Sequence, residues 1–292
     1  MKVLAVDVGG TKLAAAVWDG GLSEVARRPT GSSPWGALVG LLDPLAEGVE
    51  SIGVGCGGPM LWPVGEVSPL NIPAWRGFPL RARLADRYGV PVRLHNDAVC
   101  VAVGEHWRGK WDTEDLLGVV VSTGVGGGLV LGGRLVDGAS GNAGHVGHIV
   151  VEPDGPPCPC GGRGCLEAVA RGPAVVAWAV RRGSAAGDGR ELAALASRGD
   201  PVALQAFSRA GRALAIGLVS AAALLDVRVV AIGGGLAQVP SLWTALRAEL
   251  AERARLSFLA GLRVEPAVLG QDAGLLGAAA LFVAGDRYWA AD

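Results

Sequence analysis

A strand, a turn rich in glycine and threonine, and a second strand follow one another twice in this 292-residue chain. Residues 2–8 predict a buried strand, 9–12 (Gly-Gly-Thr-Lys) a turn and 13–18 a returning strand. The same order occurs over residues 116–136, around the glycine turn 122–128. Each hairpin opens a stretch of alternating helices and strands, which predicts an α/β protein of two related domains with a cleft between them.

The remaining apolar runs predict the layers around these hairpins. Further strands are expected at 51–55, 90–94, 227–232 and 262–268, and helices at 37–50, 80–88, 96–107, 173–182, 190–198, 201–225 and from 273 onward. We expect an N-terminal domain over residues 1–110, completed by the C-terminal helix 273–292, and a larger domain over residues 111–272.

Composition excludes several classes of protein. The 47 glycines, about twice the usual share, have no period of three and so do not indicate collagen. Twenty-six basic and 27 acidic residues give a formal net charge of −1, which argues against a nucleic-acid or membrane-surface binder. Asp7 interrupts the first apolar run, which argues against a secretory signal. The runs 213–225 and 273–285 are too short to span a bilayer. We therefore expect a cytoplasmic protein.

Two glycine clusters imitate nucleotide motifs but lack the required context. Residues 53–58 match a dinucleotide-binding fingerprint, yet Pro59 and Pro63 exclude the helix that must follow it. Residues 104–110 resemble a Walker A loop, but Trp111 stands where Ser or Thr must bind magnesium. Neither cluster predicts a nucleotide site.

The two hairpin turns are better candidates for phosphate binding. Each places a hydroxyl beside glycines, whose backbone N–H groups can converge on phosphate oxygens without obstruction by a Cβ. Residues 233–235 (Gly-Gly-Gly) offer a third such turn, and Asp7 can accept a bond from the hydration shell of Mg²⁺. A single turn of this kind would be only a tight hairpin, but the set favours phosphate binding.

Three of the five cysteines are crowded into one loop. Cys158, Cys160 and Cys165 follow His148 by ten residues or more and lie among prolines and glycines. An odd number of cysteines argues against a disulfide framework. The alternative is a group of three buried thiols, but three thiolates and an imidazole in a Gly/Pro loop predict a structural Zn²⁺ site.

These motifs together resemble the ROK family of sugar kinases, within the actin/hexokinase fold. The resemblance covers nearly the whole chain and rests on residues 7–12, 96–97, 122–128, 144–148, 158–167 and 232–235. It implies two actin-like (ribonuclease H-like) domains flanking a cleft, with a structural zinc loop. It also implies transfer of phosphate from ATP to the 6-hydroxyl of a hexose or N-acylhexosamine, by a homodimer or homotetramer.

The resemblance also assigns site residues. Those implied to border ATP and Mg²⁺ are Asp7, Gly9, Gly10, Thr11, Lys12, Thr123, Gly124, Gly126, Gly234 and Gly235. Those implied to contact the sugar are Gly58, Asn71, Asn96, Asp97, His145, Glu167 and the zinc ligand His148. Asp97 is the implied catalytic base, although an isolated Asp at a predicted helix start would be an ordinary N-cap.

Two positions depart from the usual family pattern. Met60 stands where many members have Gly, so the local turn can differ. His145 stands where most members have Glu, and bacterial N-acetylmannosamine kinases of the family share this His. An imidazole in place of a carboxylate changes which sugar group is bound. We therefore favour an N-acylhexosamine, with glucose as the alternative.

The sequence argues against two other functions and one other phosphoryl donor. Many ROK members are repressors with an N-terminal helix-turn-helix, for which a first strand at residue 2 leaves no room. A sugar sensor without kinase activity is disfavoured because Asp7, Thr11, Thr123 and Asp97 occur together. Some relatives use polyphosphate, but this sequence has no evident basic patches for a polyanion.

Overall fold

The computed structural model describes residues 1–290. Its strands, numbered in chain order, are β1 (Val3–Val8), β2 (Lys12–Trp18), β3 (Ala26–Pro29), β4 (Ser51–Cys56), β5 (Met60–Leu61), β6 (Glu66–Val67), β7 (Phe78–Pro79), β8 (Val92–Asn96), β9 (Leu116–Val121), β10 (Val125–Leu131), β11 (Arg134–Leu135), β12 (Val229–Gly233) and β13 (Arg263–Pro266). Its helices are α1 (Pro34–Leu42), α2 (Leu80–Tyr88), α3 (Asp97–Arg108), α4 (Leu166–Ala170), α5 (Gly172–Val180), α6 (Gly189–Ser197), α7 (Pro201–Leu225), α8 (Pro240–Arg253), α9 (Ala273–Val283) and α10 (Gly285–Tyr288). The predicted α/β class is confirmed.

The chain divides into two compact units. The first comprises Met1–Gly118, Gly128–Gly144 and the chain from Val268 onward, and the second comprises Val119–Gly127 and His145–Ala267. The predicted C-terminal helix 273–292 corresponds to α9 and α10, and its residues 291–292 lie outside the described part of the chain.

The first unit contains a five-stranded sheet of order β3-β2-β1-β4-β8 and a small sheet of order β5-β6-β7. Strands β1, β4 and β8 run parallel to one another, while β2 is antiparallel to β1. Their apolar residues, such as Leu4, Val54 and Leu94, are almost fully buried. The carboxyl ends of the three parallel strands therefore meet at one edge of the sheet.

Helices α3 and α9 pack against each other in the first unit through glycine. A Cβ added at Gly277 would overlap the backbone carbonyl of Cys100, and one added at Gly104 would overlap that of Ala273. Such close approach requires a residue without a side chain.

A second five-stranded sheet has the order β11-β10-β9-β12-β13, in which β12 and β13 are parallel. In the second unit, the long helix α7 packs along α8, where a Cβ at Gly211 would lie 2.5 Å from the Leu242 carbonyl oxygen. By length and composition α7 could cross a membrane, but half of its most apolar window is buried within the protein. Buried core helices pass the same test, so this is weak evidence for a span.

Two predicted elements were placed wrongly. The helix expected at 37–50 begins earlier, at Pro34, and gives way to a 3-10 turn at Asp43–Leu45, because Pro44 lacks the N–H that a continuing helix needs. The strand expected at 129–136 begins at Val125, so Gly126 and Gly128 lie on β10 rather than in the turn.

Gly128 on β10 serves packing rather than turning. A Cβ at Gly128 would lie 2.7 Å from the Val99 Cα atom of α3. The strand therefore approaches the helix more closely than any residue with a side chain allows.

Candidate active site

Three neighbouring strands of the first unit carry predicted site residues at their carboxyl ends. Asp7 of β1 is in register with Gly55 of β4, and Cys56 of β4 is in register with Asn96 of β8. Because parallel strands end at the same edge of a sheet, Asp7 and Asn96 lie at one edge. The sheet thus brings together side chains that are 89 positions apart in the sequence.

Residues 57–58 follow β4 and leave space beside the residues that end β8. A Cβ added at Gly58 would lie 3.2 Å from Asn96 Nδ2, and one added at Gly57 would lie 3.9 Å from Asp97 Oδ2. The predicted sugar residues Gly58, Asn96 and Asp97 are therefore neighbours, and Asp97 Oδ2 faces the glycines.

Asn96 caps α3, and Asp97 is the first residue of that helix. The Asn96 Oδ1 atom accepts the Ala98 N–H at 3.0 Å, and Asp97 Oδ1 accepts the same N–H at 2.8 Å. The capping role that was the alternative reading of Asp97 belongs to Asn96. The helix N-terminus stabilises the negative charge on Asp97.

Asp7 is half-buried at the end of β1 and carries a perturbed carboxyl group. Burial and the negative charge of Asp97 raise the pKa of Asp7 to about 6, against the opposing effect of the Lys12 ammonium. A cation relieves the repulsion that Asp7 experiences from the neighbouring carboxylate, and oxygen ligands of this kind suit Mg²⁺. Asp7 therefore fits the magnesium-binding role.

The first glycine turn closes on itself beside Asn71. The Gly9 N–H donates to the Lys12 carbonyl oxygen at 3.1 Å, while Thr11 and Lys12 are exposed. A Cβ added at Gly10 would overlap the Cβ of Asn71. The structure thus places Asn71 against the predicted phosphate turn.

The second glycine turn, in the second unit, is shorter than predicted and meets two other backbone segments. It spans residues 122–124, where the Ser122 N–H donates to the Gly124 carbonyl at 2.9 Å and Thr123 is exposed. The Gly172 N–H at the start of α5 donates to the Ser122 carbonyl at 2.8 Å.

Gly234 approaches the same strand end. Its φ of +94° favours glycine, and a Cβ there would overlap the Val121 carbonyl that ends β9. Gly235 begins the following 3-10 turn. The Thr123 turn, residues 234–235 and the N-terminus of α5 are therefore adjacent, as an anion site requires.

The Cys/His cluster has the dimensions of a tetrahedral metal site. Ligand atoms of His148, Cys158, Cys160 and Cys165 lie within 4.8 Å of one another. His148 Nδ1 is 3.8 Å from Cys158 Sγ, and Cys160 Sγ is 3.8 Å from Cys165 Sγ. Zinc bonds of about 2.0–2.3 Å separate tetrahedral ligands by roughly 3.3–3.8 Å. The donor set fits Zn²⁺.

Burial and mutual proximity shift the pKa values of these thiols. Burial and the neighbouring thiols raise the pKa of Cys165 to about 12, and burial raises that of Cys158. A backbone N–H from Gly162 and the Cys158 side chain lower the pKa of Cys160. Three thiolates at such short range require a positive charge among them, which bound zinc supplies.

The predicted sugar residues of the second unit lie around this cluster. Because His148 directs Nδ1 towards Cys158, its Nε2 lies on the other side of the ring, and the residue is exposed. The His145 ring stacks on that of His148 at 6.2 Å between centroids. Glu167, two residues after Cys165, accepts the Val125 N–H on Oε2 at 2.9 Å.

One pair of polar side chains at the carboxyl end of β8 was not predicted from the sequence. His95 Nε2 lies 2.9 Å from Asp137 Oδ1, and both side chains are buried. An imidazole directly before Asn96, at a buried position of β8, was the available signal. No signal identified Asp137 as its partner, because their pairing is set by tertiary structure.

A family model supports the resemblance on which these assignments rest. The ROK family model matches residues 3–284. The N-acetylmannosamine kinase of Citrobacter koseri is 37% identical over 300 residues, which cover 98% of this chain and 100% of that protein.

Two solved structures are similar over nearly the whole fold. The ROK hexokinase from Thermus thermophilus gives a TM-score of 0.85 at 40% identity, covering 96% of this chain and 97% of that one. The ROK family glucokinase from Streptomyces griseus, solved with glucose and AMPPNP, gives 0.82 at 33% identity, covering 96% and 99%.

Proposed function

The chain belongs to the ROK family, and from this premise we propose that it is a sugar kinase that phosphorylates the 6-hydroxyl of N-acetylmannosamine with ATP. The observation that carries the proposal is the full-length likeness to the Citrobacter koseri N-acetylmannosamine kinase. His145 supports an N-acyl sugar, because imidazole offers a donor as well as an acceptor where a carboxylate only accepts.

Asp97 is the proposed catalytic base. Phosphoryl transfer needs an acceptor for the proton of the attacking hydroxyl, held in place as the bond forms. The Ala98 N–H holds Oδ1, so Oδ2, beside Gly57, is the proposed proton acceptor. Asn96 is the proposed partner of a neighbouring sugar hydroxyl.

The other proposed sugar contacts are Gly58, Asn71, His145, His148 and Glu167. We propose that zinc has a structural role: its bond to His148 Nδ1 would fix the ring that presents Nε2 to the sugar.

The nucleotide residues are proposed from the turns that surround them. In the first unit they are Asp7, Gly9, Gly10, Thr11 and Lys12, and in the second Thr123, Gly124, Gly126, Gly234 and Gly235. We propose Asp7 as the residue that holds Mg²⁺, which when bound neutralises charge on the transferring phosphate. The Thr123 hydroxyl and nearby backbone N–H groups would orient the phosphates.

Glucose is the second candidate acceptor. It is supported by the 33% identity to the Streptomyces griseus ROK family glucokinase, which was solved with glucose.

The deciding experiment compares kcat/KM for N-acetylmannosamine, N-acetylglucosamine, glucose, mannose and fructose with ATP and Mg²⁺, followed by ADP release. We expect N-acetylmannosamine to give the highest value. A higher value for glucose would select the alternative, and sugar binding without ADP release would indicate a sensor.

The matched variant is His145→Glu, which restores the residue of most family members. We expect it to change the ratio of the N-acetylmannosamine and glucose values in favour of glucose by about tenfold, since buried polar mismatches are strongly discriminating. An unchanged ratio would show that His145 does not determine the preference between the two sugars. Polyphosphate in place of ATP tests the donor.

Assembly and location are also proposals. We propose a homodimer or homotetramer in the cytoplasm, as the family resemblance implies. Light scattering of the purified protein measures the assembly, and a monomer at micromolar concentration would contradict it.

A further inference from the structure

His95 is a buried histidine that no predicted motif includes. It is the penultimate residue of β8 and its side chain is 1% exposed, while that of Asp137 is 9% exposed. A buried imidazole beside a buried carboxylate is retained only where both groups are hydrogen-bonded.

The hydrogen bonds of His95 define its tautomer. The Asn96 backbone N–H donates to His95 Nδ1 at 2.8 Å, so Nδ1 carries a lone pair and not a proton. Nε2 is therefore the protonated nitrogen, and it donates to Asp137 Oδ1 at 2.9 Å. The imidazole is neutral and connects the backbone of Asn96 to the Asp137 carboxylate.

The segment that carries Asp137 is itself fixed around this ring. The Asp137 carbonyl oxygen accepts the Ala143 N–H at 3.1 Å. A Cβ at Gly141 would meet the Trp62 side chain, and the Trp62 ring lies 6.0 Å from the His95 ring. Asp137 and Trp62 thus lie beside the imidazole, and Gly141 packs against Trp62. Residues 144–145 follow this segment directly in the sequence.

We propose that His95 and Asp137 are positioning residues, which act through Asn96 and Asp97 and do not touch the sugar. The proposal rests on the assigned role of Asp97 as base. At Asn96 the chain turns from strand to helix, with φ −61° and ψ 143°. Holding the Asn96 N–H limits rotation of the peptide there, and hence the tilt of the first turn of α3 that carries the Asp97 carboxylate.

Four substitutions separate the two hydrogen bonds. His95→Asn can keep an acceptor near the Nδ1 position but is too short to reach Asp137. His95→Gln places an amide donor near the Nε2 position and removes the acceptor for the Asn96 N–H. Asp137→Asn keeps an oxygen acceptor for Nε2–H, whereas Asp137→Ala removes it.

We expect Asp137→Ala and His95→Gln to lower kcat by about ten- to hundredfold, because small misplacements of a catalytic group have effects of this size. The sugar KM should change much less than kcat. Asp137→Asn should recover most of the rate. The Asn96 amide should exchange faster with solvent deuterium in His95→Gln than in His95→Asn.

His106 provides the matched control. It is a histidine of α3 in the same unit as His95, with Nδ1 2.7 Å from the Tyr288 hydroxyl, and it is assigned no part in the site. We expect His106→Gln to lower Tm while kcat per folded molecule stays within about twofold, as for a residue with a structural role alone.

The outcomes distinguish this proposal from the proposed function. If Asp137→Ala and His95→Gln behave like His106→Gln, the pair is structural only and the positioning proposal is overturned. Normal turnover by Asp97→Asn would contradict the base, and with it the function assigned to the pair. Nitrogen-15 NMR of the wild-type protein at pH 7 needs no activity. It should show His95 protonated at Nε2 alone, and a proton on Nδ1 would overturn the proposal.

Discussion

At the scale of single residues, the two side chains at the start of α3 have different tasks. Asn96 caps the helix, and Asp97, one position later, keeps its carboxylate at the positive end of the helix dipole. Since the cap does not depend on Asp97, its substitution should affect chemistry more than folding.

Asp97→Asn should retain sugar binding and lose about 10²–10⁴-fold in kcat, the usual contribution of a general base. The Asn side chain can still accept the Ala98 N–H, so Tm should change little. Steady-state ADP release and calorimetric sugar binding measure the two effects. A rate near that of the wild type would exclude Asp97 as the base.

Asp7 should reduce the stability of the ligand-free protein above its own pKa. Its pKa is raised from 3.8 to about 6, so the stability that the protonated form contributes is present below pH 3.8 and is lost as the pH rises through 6. Asp7→Asn should therefore raise the free energy of unfolding at pH 8 by roughly 1–3 kcal/mol, and by almost nothing at pH 4.

Urea unfolding at the two pH values measures this difference. With Mg²⁺ and a non-hydrolysable nucleotide present, the wild type should gain stability and Asp7→Asn should not. Equal gains in both proteins would show that Asp7 does not hold the cation.

At the scale of elements, the loop that joins β11 to α4 carries the candidate metal site. Its ligands come from the 3-10 turn at Val146–His148 and from residues 158–165. In the described part of the chain, these 18 residues, 148–165, contain only the last residue of that 3-10 turn and isolated β-bridges, and no longer helix or strand. Backbone hydrogen bonds, such as that from the Gly164 N–H to the Pro156 carbonyl oxygen at 2.8 Å, hold part of this segment. We expect metal ligation to order the rest.

Removal of zinc should lower stability and sugar affinity together. Chelation, or Cys160→Ser, should lower Tm and raise the sugar Kd by about tenfold or more, because His148 loses its orientation. Metal analysis, calorimetry and add-back of Zn²⁺ test this. Full activity in a preparation shown to be metal-free would contradict the role of the cluster.

The contact between α3 and α9 tests the role of glycine in packing. Gly277→Ala should cost about 1–3 kcal/mol or more, because its Cβ would meet the Cys100 backbone, which cannot move aside easily. Gly189→Ala is the control: it is also at a helical position, with open space around it, and should be neutral or stabilising by less than about 1 kcal/mol. Similar losses from both substitutions, measured by urea unfolding, would refute the packing explanation.

At the scale of the whole molecule, 26 basic and 27 acidic residues balance. Non-specific DNA binding depends on Lys and Arg side chains that neutralise DNA phosphates. Because basic residues are not in excess here, we expect no such binding. A mobility-shift assay with random duplex at low salt should show free DNA at micromolar protein. Retention that weakens steeply with salt would reopen the regulator hypothesis.

The sequence by itself determined the fold class and most members of the candidate site. Local patterns carry this information, since a buried strand, a glycine turn and closely spaced cysteines each reflect neighbours along the chain. The Cys/His cluster and the start of α3 were predicted in this way, and the structure brings the four cluster residues together.

Where that local information was ambiguous, only the tertiary structure decided which residues form a strand and which side chains meet. Glycines 126–128 suggested a turn, yet all three belong to strand β10, where α3 packs closely against Gly128. The partner of His95 is 42 positions away, and no local pattern encodes such a pairing. The parallel sheet likewise places Asp7 at the edge where β8 ends, and Asp97 directly follows β8. The repulsion between these two carboxylates therefore exists only in the folded chain.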